Sequence, residues 1–228
     1  MIHSHTSKDF EAELRNLRDR LCAMGGKCEQ QITLAMQALG DRDDELARKI
    51  IDGDQAIDRD ESEIDELALQ ILATRQPVAS DLRFITMSLK FVTDLERIGD
   101  NAAGIAKRAL ELNHLPPLDN APDIRSFAQL VQKNLRAALD SFVKRDADAA
   151  TAVIAADKEI DKRNASLFAE LLAHVATDPA AVTRVLPLTS VCRYLERIGD
   201  HTQNLAEEIV YMVRAQDLRH RPLPKPKN

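Results

Sequence analysis

The chain has 228 residues, a formal net charge of −6, 30% charged residues, 4% aromatic residues and no tryptophan. A core with so few rings has to be aliphatic, and the Ala, Leu and Ile content favours helix over sheet in one large domain or two small ones. Without a concentrated basic block in the folded part, nucleic acid is excluded as the main partner.

From Phe10 the apolar positions run through Leu14, Leu17, Leu21, Met24, Cys28, Ile32, Ala35 and Leu39. Steps of three and four predict one long amphipathic helix, ended by Gly40-Asp41-Arg42-Asp43. Gly25-Gly26 in its middle predicts a bend or a close helix contact. A second run carries Leu46, Ile50, Ile57, Ile64, Leu67 and Ile71, and Asp52-Gly53-Asp54 leaves its continuity open. Pro77 forces a break. The third run, from Leu82 through Ile85, Leu89, Val92, Gly99 and Ala103, lasts to about Asn113.

Pro116, Pro117 and Pro122 cannot continue a helix and mark a linker over 115–123. The pattern then restarts. Phe127, Leu130, Leu135, Ala138 and Phe142 predict a fourth helix that stops near Lys144-Arg145-Asp146. Val153, Ile160, Leu167, Leu171 and Val175 predict a fifth, Asp178-Pro179 a turn, and Val182 to about Val213 a sixth. The expected organisation is a three-helix unit over 1–114, the linker, a second unit over 124–214, and a disordered tail over 215–228 rich in Pro and Lys. The expected fold is all-α, as two tandem pseudo-symmetric three-helix bundles.

Residues 1–8 show no signal-type apolar segment, and no run approaches the roughly 18 apolar residues of a membrane span. Cys22, Cys28 and Cys192 lack zinc-knuckle spacing and are expected as reduced thiols packed in helices. A cytoplasmic protein without membrane insertion is the expectation.

The two halves are copies. Leu95-Glu96-Arg97-Ile98-Gly99-Asp100 recurs unchanged as Leu195-Glu196-Arg197-Ile198-Gly199-Asp200, an offset of 100. Asp54, Ile57 and Asp58 match Asp157, Ile160 and Asp161, and Arg42-Asp43 matches Arg145-Asp146, at an offset of 103. Short connections make consecutive helices antiparallel, so residues equidistant from a turn lie side by side. About Pro77, position 58 then faces 96 and 54 faces 100. About the Asp178-Pro179 turn, 161 faces 196 and 157 faces 200.

Each copy thus brings together four carboxylates: Asp54, Asp58, Glu96 and Asp100 in the first, Asp157, Asp161, Glu196 and Asp200 in the second. Glu96 and Asp100 sit at the edge of the apolar arc of their helix, away from Arg83, Lys90, Arg97 and Arg108. Four close acids repel unless protons, arginines or cations neutralise them. Arg97 and Arg197 could cap the clusters as ion pairs. A multivalent cation neutralises most fully, and oxygen ligands suit Mg, Ca, Mn, Fe or Zn, singly or in a multinuclear cluster.

The paired segments Asp94–Asp100 and Tyr194–His201 resemble the signatures of the PhoU family, accessory and regulatory proteins of the high-affinity phosphate transport system. Residues 21–25, 75–83 and 204–207 support the resemblance, which covers about residues 10–214. It implies two symmetric three-helix bundles whose paired acidic motifs can hold multinuclear metal clusters, here on the eight acids named above. It also implies negative regulation of the phosphate-starvation response; a homodimer is the expected assembly. The expected partners are the ATPase subunit of the phosphate transporter and a membrane sensor histidine kinase.

The chain carries no GxxxxGK[ST] loop, no GxGxxG turn and no recognisable nucleophile motif, which favours a non-enzymatic signalling adaptor. A carboxylate-cluster metalloenzyme, phosphohydrolase or di-iron, is the alternative, and a purely structural helical module is a third. A ferritin-like site needs two ExxH pairs, but only Glu111 with His114 fits, at the end of a helix. His201 is an additional ligand candidate, although Asn101 replaces it in the first copy and a surface histidine is the plainer reading.

Overall fold

A computed structural model describes residues 3–218, with side chains from residue 8. The described residues form six α-helices: α1 His3–Asp41, α2 Asp44–Arg75, α3 Ala79–Asn113, α4 Ile124–Lys144, α5 Ala147–Thr177 and α6 Val182–Arg214. A short 3₁₀ turn, Pro179–Ala181, precedes α6. The all-α fold and the helix order match the sequence expectation.

The duplicated Arg-Asp dipeptide ends one helix and caps the next in both copies. Arg42 (φ 57°) and Arg145 (φ 53°) take the left-handed conformation that ends α1 and α4. Asp43 then caps α2 by accepting from the Leu46 N–H, and Asp146 caps α5 by accepting from the Asp148 and Ala149 N–H groups. The guanidinium of Arg42 also donates to the carbonyls of Leu112, Asn113 and Leu115, so the first turn is tied to the end of α3. Arg75 grips Glu13 through two donors at 2.8 and 2.6 Å, fixing α2 to α1.

α2 runs without a break through Asp52-Gly53-Asp54. Gly53 has open space apart from the amide of Gln31, so it costs helix propensity without ending the helix. The Gly25 position is a close contact: a Cβ there would lie 2.7 Å from Leu139 Cδ2 on α4, while Gly26 faces open space. Both glycines stay inside one continuous α1.

Each repeat packs its own three helices, but one continuous core spans both. α3 and α6 lie against each other and join the halves. Phe91 of α3 stacks on Phe142 of α4, with centroids 4.6 Å apart. Along the α3–α6 seam, Tyr194 lies over Gly104, where an added Cβ would come within 2.8 Å of its ring. Gly104→Leu should therefore destabilise the chain by about 1–3 kcal/mol, because an aromatic ring wedged between two helices cannot move aside. Urea unfolding measures this, and an unchanged midpoint would refute the packing role.

The thiols of Cys22, Cys28 and Cys192 are free. Burial pushes those of Cys28 and Cys192 up to about 12, which keeps them protonated and unreactive. Beyond α6 the chain leaves the helix, yet Leu218 is buried in the core, so 215–218 do not form the expected loose tail. The rest of that expectation, 219–228, lies outside the described residues.

Candidate metal centre

The glycine of each repeated hexapeptide sets the site. A Cβ on Gly99 would lie 2.7 Å from Ile57 Cδ1 and 3.5 Å from Asp54 Oδ1. A Cβ on Gly199 would lie 3.0 Å from Ile160 Cγ2 and 3.3 Å from Asp157 Oδ1. Glycine lets the facing helix come close enough for its aspartate to lie against the backbone. The isoleucine one turn-step away seals the apolar side.

The antiparallel pairing inferred from the turns holds in both copies. In the first, burial, then the charges of Asp100 and Asp58, raise the Asp54 carboxyl to about 6, with Lys107 acting against them. Burial, then Asp100, raises Glu96 to about 7, with Glu61 and Asp58 adding to the effect and Arg97 opposing it. In the second, burial, Asp161, Asp200 and Glu196 raise Asp157 to about 6. Glu196 and Asp200 are also raised, chiefly by burial and then by neighbouring acids. The eight acids thus fall into two groups of neighbouring carboxylates that repel one another.

The two groups differ. Asp157, Asp161 and Asp200 each offer an oxygen within 4.8 Å of the others, and no other described residues form such a set. Asp157 is 6% exposed, and its Oδ1 is buried without a hydrogen-bond partner. In the first group, Arg97 reaches Glu96 at 3.3 Å and Asp100 at 3.1 Å, so part of its negative charge is already answered. The Glu96 Oε2 atom is nevertheless buried without a hydrogen bond. Arg197 forms no corresponding ion pair among the described residues.

Sequence pairing missed Glu61. It lies one turn beyond Asp58 on α2, beside Thr93, and its charge acts on Glu96, which adds a fifth acid to the first group. The i, i+4, i+7 series Asp54, Asp58, Glu61 was visible in the sequence. In the second copy Asn164 stands at that position.

His201 faces the other repeat. Its Nδ1 lies 2.7 Å from Asp94 Oδ1, and the Asn204 amide donates to the same oxygen at 3.1 Å. It serves the α3–α6 seam, which explains why Asn101 can replace it in the first copy. Glu111 pairs with Arg108, and His114 caps α3 beside Asp44. No second ExxH meets them among the described residues, so a ferritin-like site is not assembled.

The donor set suits hard or borderline cations. It offers only carboxylate oxygens, places them on rigid helices, and includes the buried Asp157 Oδ1, which has no hydrogen-bond partner.

Residues 21–109 and 124–209 each match the PhoU domain, so both repeats carry it. The chain belongs to the PhoU family. It is 43% identical over 217 residues to the phosphate-specific transport system accessory protein PhoU homolog of Pseudomonas aeruginosa, spanning 95% of this chain and 90% of that one. It is 36% identical over 222 residues to the PhoU protein of Escherichia coli, spanning 96% and 91%. The crystal structure of PhoU from Pseudomonas aeruginosa superposes with a TM-score of 0.88, covering 91% of this chain and all of that one. That of the phosphate transport system regulatory protein PhoU from Streptococcus pneumoniae gives 0.84 at 28% identity, covering 91% and 98%. The first match ends within α3 and the second begins at the start of α4.

Proposed function

We propose that this PhoU-family chain is a regulatory accessory protein of phosphate transport, not an enzyme. It lowers the phosphate-starvation response when phosphate is plentiful and moderates high-affinity uptake. The observation that carries this reading is the match of both repeats to the PhoU domain, at full-length similarity to proteins named for that transport system.

In this reading the chain is a cytoplasmic homodimer that bridges the transporter's ATPase subunit and a sensor histidine kinase. No described helix is long and apolar enough to cross a membrane, which fits a docking role. The acid groups hold divalent or trivalent cations. Bound metal would remove the repulsion within each group and cross-brace α2 with α3 and α5 with α6. A cation of Fe, Mn, Mg, Zn or Ca suits the oxygen donors.

The test is reporter expression from a phosphate-starvation promoter in a deletion strain grown in high phosphate. The expected result is constitutive expression, restored to repression by the parent gene. Repression intact in the deletion strain would overturn the reading. Size-exclusion chromatography with light scattering tests the dimer, and a monomer at micromolar concentration would remove it.

A further inference from the structure

The surroundings of the two acid groups are not copies of each other. At the positions of Thr93 and Glu61 in the first repeat stand Arg193 and Asn164 in the second. Thr93 lies beside Glu61 with its hydroxyl donating to the Leu89 carbonyl, and Glu61 closes the first group with another carboxylate. In the second repeat an open groove of about 750 Å³ takes their place, lined by Asn164, Phe168, Arg193, Glu196, Arg197 and Asp200.

Arg193 and Arg197 are four residues apart on α6, so their guanidiniums share one helix face and repel each other. Both attract Glu196, and Arg197 also Asp200, but neither closes to a hydrogen bond or ion pair among the described residues, whereas Arg97 in the first repeat is held by Glu96 and Asp100. The hydroxyls of Thr189 and Ser190 in the same groove donate back to the Leu186 carbonyl. The donors left facing the groove are therefore the two guanidinium forks and the Asn164 amide.

We propose that this groove binds a tetrahedral oxyanion, inorganic phosphate, through Arg193 and Arg197 beside a cation held by Asp157, Asp161 and Asp200. The proposal rests on the metal reading given above, since the acid group alone would repel an anion. The buried, partnerless Asp157 Oδ1 supplies the independent sign of a cation, and Asp161 and Asp200, which complete its set, line the groove. Two unpaired guanidiniums at the rim supply the fork geometry that matches phosphate oxygens. The first group cannot do the same. Glu61 adds negative charge where the second offers Asn164, and Arg97 is already engaged. One repeat is thus built for cations alone and the other for a cation with an anion.

The test is equilibrium dialysis of the full chain against Mn²⁺ and radiolabelled inorganic phosphate, with both bound species counted in the same sample. The expected result is about one phosphate per chain, retained only when Mn²⁺ is present, because the cation offsets part of the carboxylate charge that otherwise repels an anion. Arg193→Gln with Arg197→Gln should weaken phosphate retention about tenfold or more while Mn²⁺ stays bound, since two charge-assisted contacts are lost. Arg97→Gln should leave phosphate retention unchanged. Mn²⁺ bound without phosphate, or phosphate retained equally by the double variant, would overturn the anion site alone. Absence of Mn²⁺ from the parent chain would overturn the metal centre and the anion site together.

Discussion

Glu96→Ala with Asp100→Ala should lower the metal content of the purified chain by roughly half, and adding Asp157→Ala with Asp200→Ala should bring it to background. Each pair removes carboxylates from both sides or one side of a single group, and the groups lie on different helix hairpins. The second pair also removes the buried Asp157 Oδ1, which has no protein partner to replace a cation. The fold should survive, because Ile57, Ile98, Ile160 and Ile198 remain to fill the apolar side of each hairpin. Elemental analysis reads the metal, and far-ultraviolet circular dichroism reads the helices. Equal metal in parent and variants would remove the ligand assignment.

The metal-free chain should melt at a higher temperature at pH 5 than at pH 8, and excess Mn²⁺ should reverse that order. Asp54 and Asp157 are raised to about 6 and Glu96 to about 7, with burial as the leading cause. A carboxyl whose folded value is raised binds its proton more tightly when folded. Its contribution to stability is complete below the unfolded value near 4 and is lost as pH rises through 6 to 7. Glu13 and Asp123 are lowered by their partners and act oppositely, but their contribution is lost only towards more acid pH. A cation competes with protons for the same oxygens, so its stabilisation grows with pH. Scanning calorimetry of chelator-treated protein, with and without Mn²⁺, reads both trends. A metal-free chain equally stable at both pH values would refute the coupled acid groups. Mn²⁺ without effect at pH 8 would refute their role as ligands.

Much of this was legible before any coordinates. A period of 3.6 in apolar positions located all six helices, because each must bury one face against its neighbours. The duplicated hexapeptide and the two turns fixed which acids face each other, because a short connection leaves an antiparallel hairpin little freedom of register. The Arg-Asp dipeptides announced both interhelical turns, although their division of labour, a left-handed arginine and a capping aspartate, needed backbone angles.

Side-chain geometry and contacts between repeats were not legible. Sequence pattern left α2 open to interruption at Gly53, where helix packing carries it straight through. It left His201 as a ligand candidate or, more plainly, a surface histidine, while the α3–α6 seam turns that ring to Asp94. It treated the acid groups as equivalent, whereas the difference lies in neighbours drawn from the facing helix: Glu61 and Thr93 in one, Asn164 and Arg193 in the other. The chain by itself determined the helices, their duplication and the pairing of acids, all consequences of local periodicity and short turns. Only the tertiary structure decided which carboxylate oxygen is buried without a partner, which arginine is spent on an ion pair, and how two bundles share one core. Those depend on distances between residues on different helices, and no local pattern encodes them.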